Sequence, residues 1–333
     1  MPADPKPPVR LGEFDLIDRY FKPLASSLPG SFGLTDDAAT ACPDEGNEFV
    51  VTTDTIVEGV HFLGSEKPEA IAAKLLRVNL SDLAAKGSVP SSYSLNLALP
   101  SRIDDAWLQA FSAGLAAEQE IFGIGLLGGD TVSTSGPMVL TVTAMGQVRK
   151  NTALHRFGAV AGDGLFVTGT IGDGSLGLLA ATYKLPEMEQ AELDYLRGRY
   201  EQPQPRVTIG PNLLGMATAA LDVSDGLIAD CGHLAVASGL AAEIDTITVP
   251  LSDAAASAIA AEPDLLETAL TGGDDYEILF SAPETMREKI AALAAETGVP
   301  ITEIGRLTSG NGVTALDADG HPVFFEKPGY RHG

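Results

Sequence analysis

Apolar residues along this chain recur at two periods, and the switch between them divides it into helices and strands. Phe14, Ile17, Tyr20, Phe21 and Leu24 fall at helical spacing and predict an amphipathic helix that stops at Pro29-Gly30. The run from Glu48 to Thr53, rich in valine, reads as a strand. Pro68 then opens a helix in which Ala72, Leu75, Leu76, Asn79, Leu80 and Leu83 share a face, placing Asp82 near its end. Strand character returns at Tyr93 to Leu99, a helix follows over Asp104 to Phe122, and Gly125 to Leu127 and Met138 to Val148 predict two further strands.

Periodicity fades between Lys150 and Gly162, so a domain boundary is expected near residue 150, with an N-terminal domain over 1–150 and a C-terminal α/β domain over 151–333. In the second domain, strands are expected at Leu165 to Thr168, Ala219 to Val223, Ala241 to Ile244, Tyr276 to Phe280, Ile301 to Ile304 and Val313 to Ala315. Helices are expected around Leu176 to Ala181, Val207 to Ala217, Gly226 to Ala237 and Glu284 to Ala295. The fold class is therefore α/β, of mixed α+β type, and no short-period repeat interrupts it.

With 333 residues, 45% of them apolar, the chain can build two cores. Its formal charge of -24 argues against nucleic acid or an anionic membrane as a partner, since both select stripes of Lys and Arg. A phosphorylated substrate would be repelled as well unless cations came with it. Cys42 and Cys231 form no CxxC pair, which suggests neither zinc nor a disulfide framework and makes the cytoplasm the natural compartment. Met1 to Arg10 is Pro-rich rather than a signal core, and no run approaches the ~18 apolar residues of a membrane span.

Several Asp residues stand beside strand-like segments: Thr35-Asp36-Asp37, Thr52-Thr53-Asp54, Asn79-Leu80-Ser81-Asp82, Gly128-Gly129-Asp130 and Asp222-Val223-Ser224-Asp225-Gly226. Two carboxylates converging at ~4 Å repel by about 4 kcal/mol at an effective dielectric near 20, so a cluster of them calls for cations. Hard oxygens without Cys or paired His suit Mg²⁺, which characteristically bridges carboxylates to substrate phosphates. Each motif also has a plain alternative. Asp36-Asp37 suits an Asx turn, Gly128-Gly129-Asp130 a simple turn, and one acid of the Asp222 motif a helix cap. The segment Gly169 to Gly177 matches neither a P-loop nor a dinucleotide fingerprint and reads as a tight strand-to-helix connection. Gly272-Gly273-Asp274-Asp275-Tyr276-Glu277 suits either a turn or the presentation of acids and a ring to a ligand. His61 and Arg156 are lone candidates for phosphate contact, and no Ser-His-Asp or Cys-His constellation can be assembled.

In their order these motifs resemble the thiamine-monophosphate kinase family, within the aminoimidazole ribonucleotide synthetase superfamily. The resemblance starts at Gly12-Glu13-Phe14 and runs through Asp54-Thr55, His61-Phe62, Val78 to Ala85, Gly128 to Thr131, Val167 to Thr170 and Asp222 to Leu227, ending at Gly272 to Glu277. It implies ATP-dependent phosphorylation of thiamine monophosphate to thiamine diphosphate, by direct in-line transfer assisted by Mg²⁺, in a two-domain homodimer. Metal ligands would be Asp36, Thr52, Thr53, Asp54, Asp82, Asp130, Asp222 and Asp225. ATP would meet Gly129, Asp130, Arg156 and Ser224, the substrate would meet His61, Asp274 and Tyr330, and Asp54, Asp130 and Arg156 would be catalytic.

Three departures accompany the resemblance: Thr35 replaces a usual Gly, Asp274 stands where Glu is more usual, and Gly329 to Gly333 lacks a common final aromatic. Two rivals also stand. One is another ATP-dependent synthetase of the superfamily, although no N-terminal reactive Cys supports the selenophosphate branch; the other is a catalytically silent, metal-dependent nucleotide or thiamine-phosphate binder.

Overall fold

The computed structural model describes residues 12–326 and 329–330. Met1 to Arg10 and Arg331 to Gly333 lie outside the described residues. The chain forms two compact units, one of residues 1–80 and 90–147, the other of residues 81–89 and 148–333. The exchange near residue 80 falls inside a single helix, so the Asn79-Leu80-Ser81-Asp82 motif straddles it.

In the first unit the expected opening helix is irregular: α1 (Glu13–Leu16) passes into a π turn at Ile17–Phe21 and a 3₁₀ turn at Lys22–Ala25. Pro23, lacking an N–H, prevents a regular continuation. Tyr20, Phe21 and Leu24 are buried as the spacing predicts, but Phe14 is 80% exposed. The strands β1 (Asn47–Val57), β2 (Val89–Pro100), β3 (Gly125–Thr134) and β4 (Val139–Arg149) form one sheet in the order β1-β4-β2-β3. The helices α2 (Pro68–Ala85) and α3 (Asp105–Phe122) accompany them. Asp104 caps α3 by accepting from the Trp107 N–H at 2.8 Å, and Gly123 ends it in the left-handed region at φ 65°.

Two strands extend past their apolar signals. β1 continues to Val57, so Thr52-Thr53-Asp54 lie within the strand rather than at its end. β3 continues through Gly128-Gly129-Asp130 to Thr134, paired in parallel with β2. Only its first three residues are buried, which is the part an apolar run can mark.

The second unit is built on a seven-stranded sheet. Its strands are β5 (Gly164–Thr168), β6 (Ala219–Asp222), β7 (Ala241–Asp245), β8 (Ile278–Ala282), β9 (Ile301–Thr308), β10 (Gly312–Leu316) and β11 (Pro322–Val323), in the order β11-β10-β7-β9-β5-β8-β6. β5, β6 and β8 are buried along their whole length, as their unbroken apolar runs require. Leu165, Val167, Leu221 and Leu279 pack with Leu227, Cys231 and Leu234 of α6 (Leu227–Ser238; α4 and α5 precede it). Phe166 and Phe280, stacked with centroids 5.4 Å apart, pack with Ile278, Ile290 and Leu293 in a separate cluster.

The remaining helices are α4 (Asp173–Ala181), α5 (Gln190–Glu201), α7 (Asp253–Ala261), α8 (Leu265–Thr271) and α9 (Arg287–Thr297). The helix expected over Val207 to Ala217 is only a 3₁₀ turn at Gly210–Leu213, because Gly210, Pro211 and Gly215 break the helical ladder. α5, α7 and α8 were not expected. α5 is largely polar and announces itself through the Glu189/Glu192 capping box, whereas α7 is nearly all alanine with Ser252 accepting from the Ala255 N–H at 3.0 Å. Among the described residues, no helix is long and apolar enough to cross a membrane.

Candidate functional site

In the first unit, Asp36, Asp37, Gly129 and Asp130 line a cavity of about 450 Å³ that also meets Leu95 and Leu126. The strand register places Gly129 opposite Leu95 and Asp130 opposite Asn96. Gly129 has φ 159°, and a Cβ there would lie 1.8 Å from the Leu95 carbonyl oxygen, so the two strands approach at a spacing only glycine permits. Asp36 and Asp130 are exposed, each accepting at 2.8 Å from the N–H of the next residue, which turns the carboxylates without neutralising them. Thr35 adopts φ -112°, which any residue can take, so the departure from Gly imposes no left-handed strain.

Along β1 the side chains alternate. Thr52 and Asp54 share one face, while the Thr53 hydroxyl lies on the other, donating to the Val142 carbonyl at 3.1 Å and meeting the Thr143 hydroxyl at 3.1 Å. The structure therefore separates the Thr53 side chain from those of Thr52 and Asp54. Asn79, fully buried on α2, accepts from the Asp54 N–H at 3.1 Å and donates to the Leu75 carbonyl at 3.0 Å. His61 accepts from the Val57 N–H through Nδ1 at 3.1 Å, which fixes the ring.

In the second unit, Ser81 donates to Asp222 Oδ2 at 2.7 Å, and Asp222 is 5% exposed at the end of β6. Lys86, one turn beyond the half-buried Asp82, donates to the Ala220 carbonyl at 2.9 Å. Burial pushes the Lys86 ammonium down, Asp222 and Asp82 pull it up, and the exposed Arg156 adds to the lowering. Lys86 is thus a cation within this acidic group that the motifs did not single out.

The turn after β6 carries Ser224, Asp225 and Gly226. Asp230, buried on the first turn of α6, accepts from the N–H groups of Asp225 and Gly226 at 3.1 and 3.2 Å. Its carboxyl is pushed up to about 7 by burial and by Asp225, against those two bonds. The Tyr330 N–H donates to the Asp225 carbonyl at 2.9 Å, which places Tyr330 beside this turn.

Of the acids in Gly272 to Glu277, only Asp274 is partly exposed; Asp275 and Glu277 are buried. Asp275 accepts from the Gly172 and Gly174 N–H groups at 2.8 and 2.9 Å. Glu277 accepts from Thr168 Oγ1 at 2.7 Å, from Arg199 at 2.9 Å and from the fork of Arg206. Gly169 to Gly172 does connect β5 to α4, with Gly169 and Gly172 at φ 60° and 90°.

Comparison with known proteins gives this arrangement a context. The chain matches the AIR synthase related protein N-terminal domain over residues 35–148 and the corresponding C-terminal domain over residues 160–317. It is 43% identical to the thiamine-monophosphate kinase of Caulobacter vibrioides over 324 residues, covering 96% of this chain and 91% of the relative. It is 41% identical to that of Salmonella typhimurium, covering 96% and 98%. Among solved structures, the Stenotrophomonas maltophilia thiamine-monophosphate kinase superposes with a TM-score of 0.83 at 41% identity, covering 94% and 98% of the two chains. AaThiL complexed with AMPPCP and TMP superposes with a TM-score of 0.76 at 32% identity, covering 97% and 99%. With two AIR synthase related domains and this degree of identity over nearly its whole length, the chain belongs to the thiamine-monophosphate kinase family.

Proposed function

We propose that this chain transfers the γ-phosphoryl group of ATP to the phosphate of thiamine monophosphate, forming thiamine diphosphate and ADP. One observation carries the proposal: the likeness, across 97% of the chain, to a structure complexed with AMPPCP and TMP. A phosphate oxygen of the acceptor attacks the γ-phosphorus in line, and the bond from phosphorus to the ADP oxygen breaks. No protein nucleophile is required; positioning and charge neutralisation dominate such transfers.

The residues fit Mg²⁺, because the candidate donors are all carboxylate or hydroxyl oxygens. Asp36, Thr52, Asp54 and Asp130 would hold it in the first unit, and Asp82, Asp222 and Asp225 would hold it in the second; the Thr53 hydroxyl is turned to the other face of β1, toward the Val142 carbonyl. Once bound, Mg²⁺ neutralises phosphate charge that a chain of net charge -24 would otherwise repel. For ATP, the candidates are Gly129 and the Asp130 oxygens in the first unit, and Ser224 and the fixed positive charge of Arg156 in the second. The substrate is assigned to His61, Asp274 and Tyr330. Homodimer formation and a cytoplasmic location belong to the same proposal, the latter supported by a chemistry that consumes ATP.

The test is to incubate the purified protein with ATP, MgCl₂ and thiamine monophosphate and to separate the products by anion exchange. Thiamine diphosphate with equimolar ADP is expected. ADP without thiamine diphosphate would indicate another acceptor, and binding without turnover would indicate a silent binding protein.

A further inference from the structure

Between α8 and β8 the backbone takes a conformation that side-chain-bearing residues seldom adopt. Asp274 and Tyr276 have φ 72° and 54°, both left-handed, with Asp275 between them. An Asp tolerates this region; for a Tyr the strain is of the kind that persists only where the surroundings impose it. The surroundings do. The buried Asp275 carboxylate is pinned by the Gly172 and Gly174 N–H groups at the start of α4, and the buried Glu277 by Arg199, Arg206 and Thr168.

The segment is also bonded to the turn after β6. The Asp274 N–H donates to the Ser224 carbonyl at 3.0 Å, the Tyr276 N–H to the Val223 carbonyl at 2.8 Å, and the Val223 N–H to the Glu277 carbonyl at 2.8 Å. Cβ atoms at Gly174 and Gly273 would lie 2.2 Å from the Asp274 carbonyl oxygen and 2.1 Å from the Ser224 carbonyl oxygen, so backbone packs directly on backbone at both glycines. The alternate left-handed residues bring two side chains together: the Tyr276 hydroxyl donates to Asp274 Oδ1 at 3.1 Å.

We infer that Tyr276 is a positioning residue for substrate recognition, its hydroxyl fixing the Asp274 carboxylate that receives the thiamine moiety. The inference rests on the assignment of Asp274 to the substrate. A carboxylate repels the phosphate but suits the cationic thiazolium or the pyrimidine amino group, so Tyr276 acts on the ring end of the substrate and not on ATP. Two closely spaced left-handed residues are the means by which the fold turns both side chains to the same place.

The experiment compares wild type, Tyr276→Phe, Asp274→Asn and the double variant in steady-state kinetics, varying thiamine monophosphate and ATP separately. Tyr276→Phe removes one hydroxyl and keeps the ring; its thermal midpoint checks that the fold is retained. The expected result is a roughly tenfold rise in KM for thiamine monophosphate, with kcat and KM for ATP within twofold of wild type, as fits loss of one bond to a charged acceptor. In the Asp274→Asn background the same change should add less than twofold, because the two groups act as one. If Asp274→Asn raises KM and Tyr276→Phe does not, or if their effects multiply, the positioning role is refuted while the substrate assignment stands. If Asp274→Asn leaves KM unchanged, the assignment and the inference fall together. An inactive wild type would instead refute the proposed reaction.

Discussion

Adjacent glycines in β3 offer a sharp contrast. A Cβ at Gly129 would lie 1.8 Å from the Leu95 carbonyl oxygen and 2.7 Å from its carbonyl carbon, whereas a Cβ at Gly128 would have no neighbour within 4 Å. Ordinary contact is near 3.4 Å, so Gly129→Ala must push β3 from β2 by about 1.5 Å, or rotate a peptide, at the Leu95–Gly129 pair. Overpacking costs about 1–3 kcal/mol, and a backbone conformation essentially reserved for glycine costs about 1–3 more, so a loss on the order of 4 kcal/mol is expected. At roughly 2–4 °C per kcal/mol, the midpoint should fall by about 8–16 °C. Gly128→Ala should remain within about 0.5 kcal/mol of wild type. Urea unfolding and calorimetry of both variants provide the assay, with binding of a non-hydrolysable ATP analogue measured in parallel. Equal stability of the two variants would refute the close strand approach and, with it, the account of why β3 carries Gly129.

Further expectations concern separate parts of the molecule. Glu277→Ala removes the shared partner of Arg199 and Arg206; because Arg199 keeps Asp173 at 3.5 Å, the loss should be about 3 kcal/mol, toward the low end for a broken buried pair, and a loss below about 1 kcal/mol in urea melts would contradict this. Asp54→Asn and Asp130→Asn should each lower kcat at least about 100-fold while circular dichroism and midpoint stay near wild type, and full activity in both would contradict their assignment. Burial alone would raise the Glu58 carboxyl, but the Met138 N–H and Arg102 outweigh it and hold it below the ordinary 4.5. A lowered acid contributes stability that is present above 4.5 and lost as pH falls through its folded value, so the stability gap between wild type and Glu58→Gln should narrow on acidification below 4.5; a constant gap would disprove this. Cys42 is exposed, whereas Cys231 is buried with its thiol pushed up by burial and by Asp230; a chromogenic disulfide should therefore titrate one thiol in the folded protein and two in denaturant.

Much of the fold was legible because apolar periodicity reports burial directly. α2, α3, β2, β4, β5 and α6 follow their apolar patterns to within a few residues. Where residues are held by pairing rather than burial, the signal vanished: the outer halves of β1 and β3 are polar, and their strand character comes from neighbouring strands. α5 and α7 lacked a two-sided pattern, one being mostly polar and the other mostly alanine. At the candidate site, residue types and order pointed to the acids, but not to their supports. Asn79 behind Asp54, Asp230 behind the Asp225 turn and Lys86 beside Asp222 emerge only once the chain is folded, since each acts on a partner outside its own motif. Thr53 shows the opposite case, a motif member whose hydroxyl the strand alternation turns away.

The central claim is that the carboxylates gather divalent cations on behalf of anionic reactants. Electron paramagnetic resonance of Mn²⁺, titrated into the protein with a non-hydrolysable ATP analogue and thiamine monophosphate, measures that directly by separating free from bound ion. More than one bound Mn²⁺ per chain is expected, with fewer in Asp54→Asn and in Asp130→Asn and displacement by Mg²⁺. Binding that is unchanged in both variants, or no bound Mn²⁺ beyond that carried by the nucleotide alone, would contradict the account.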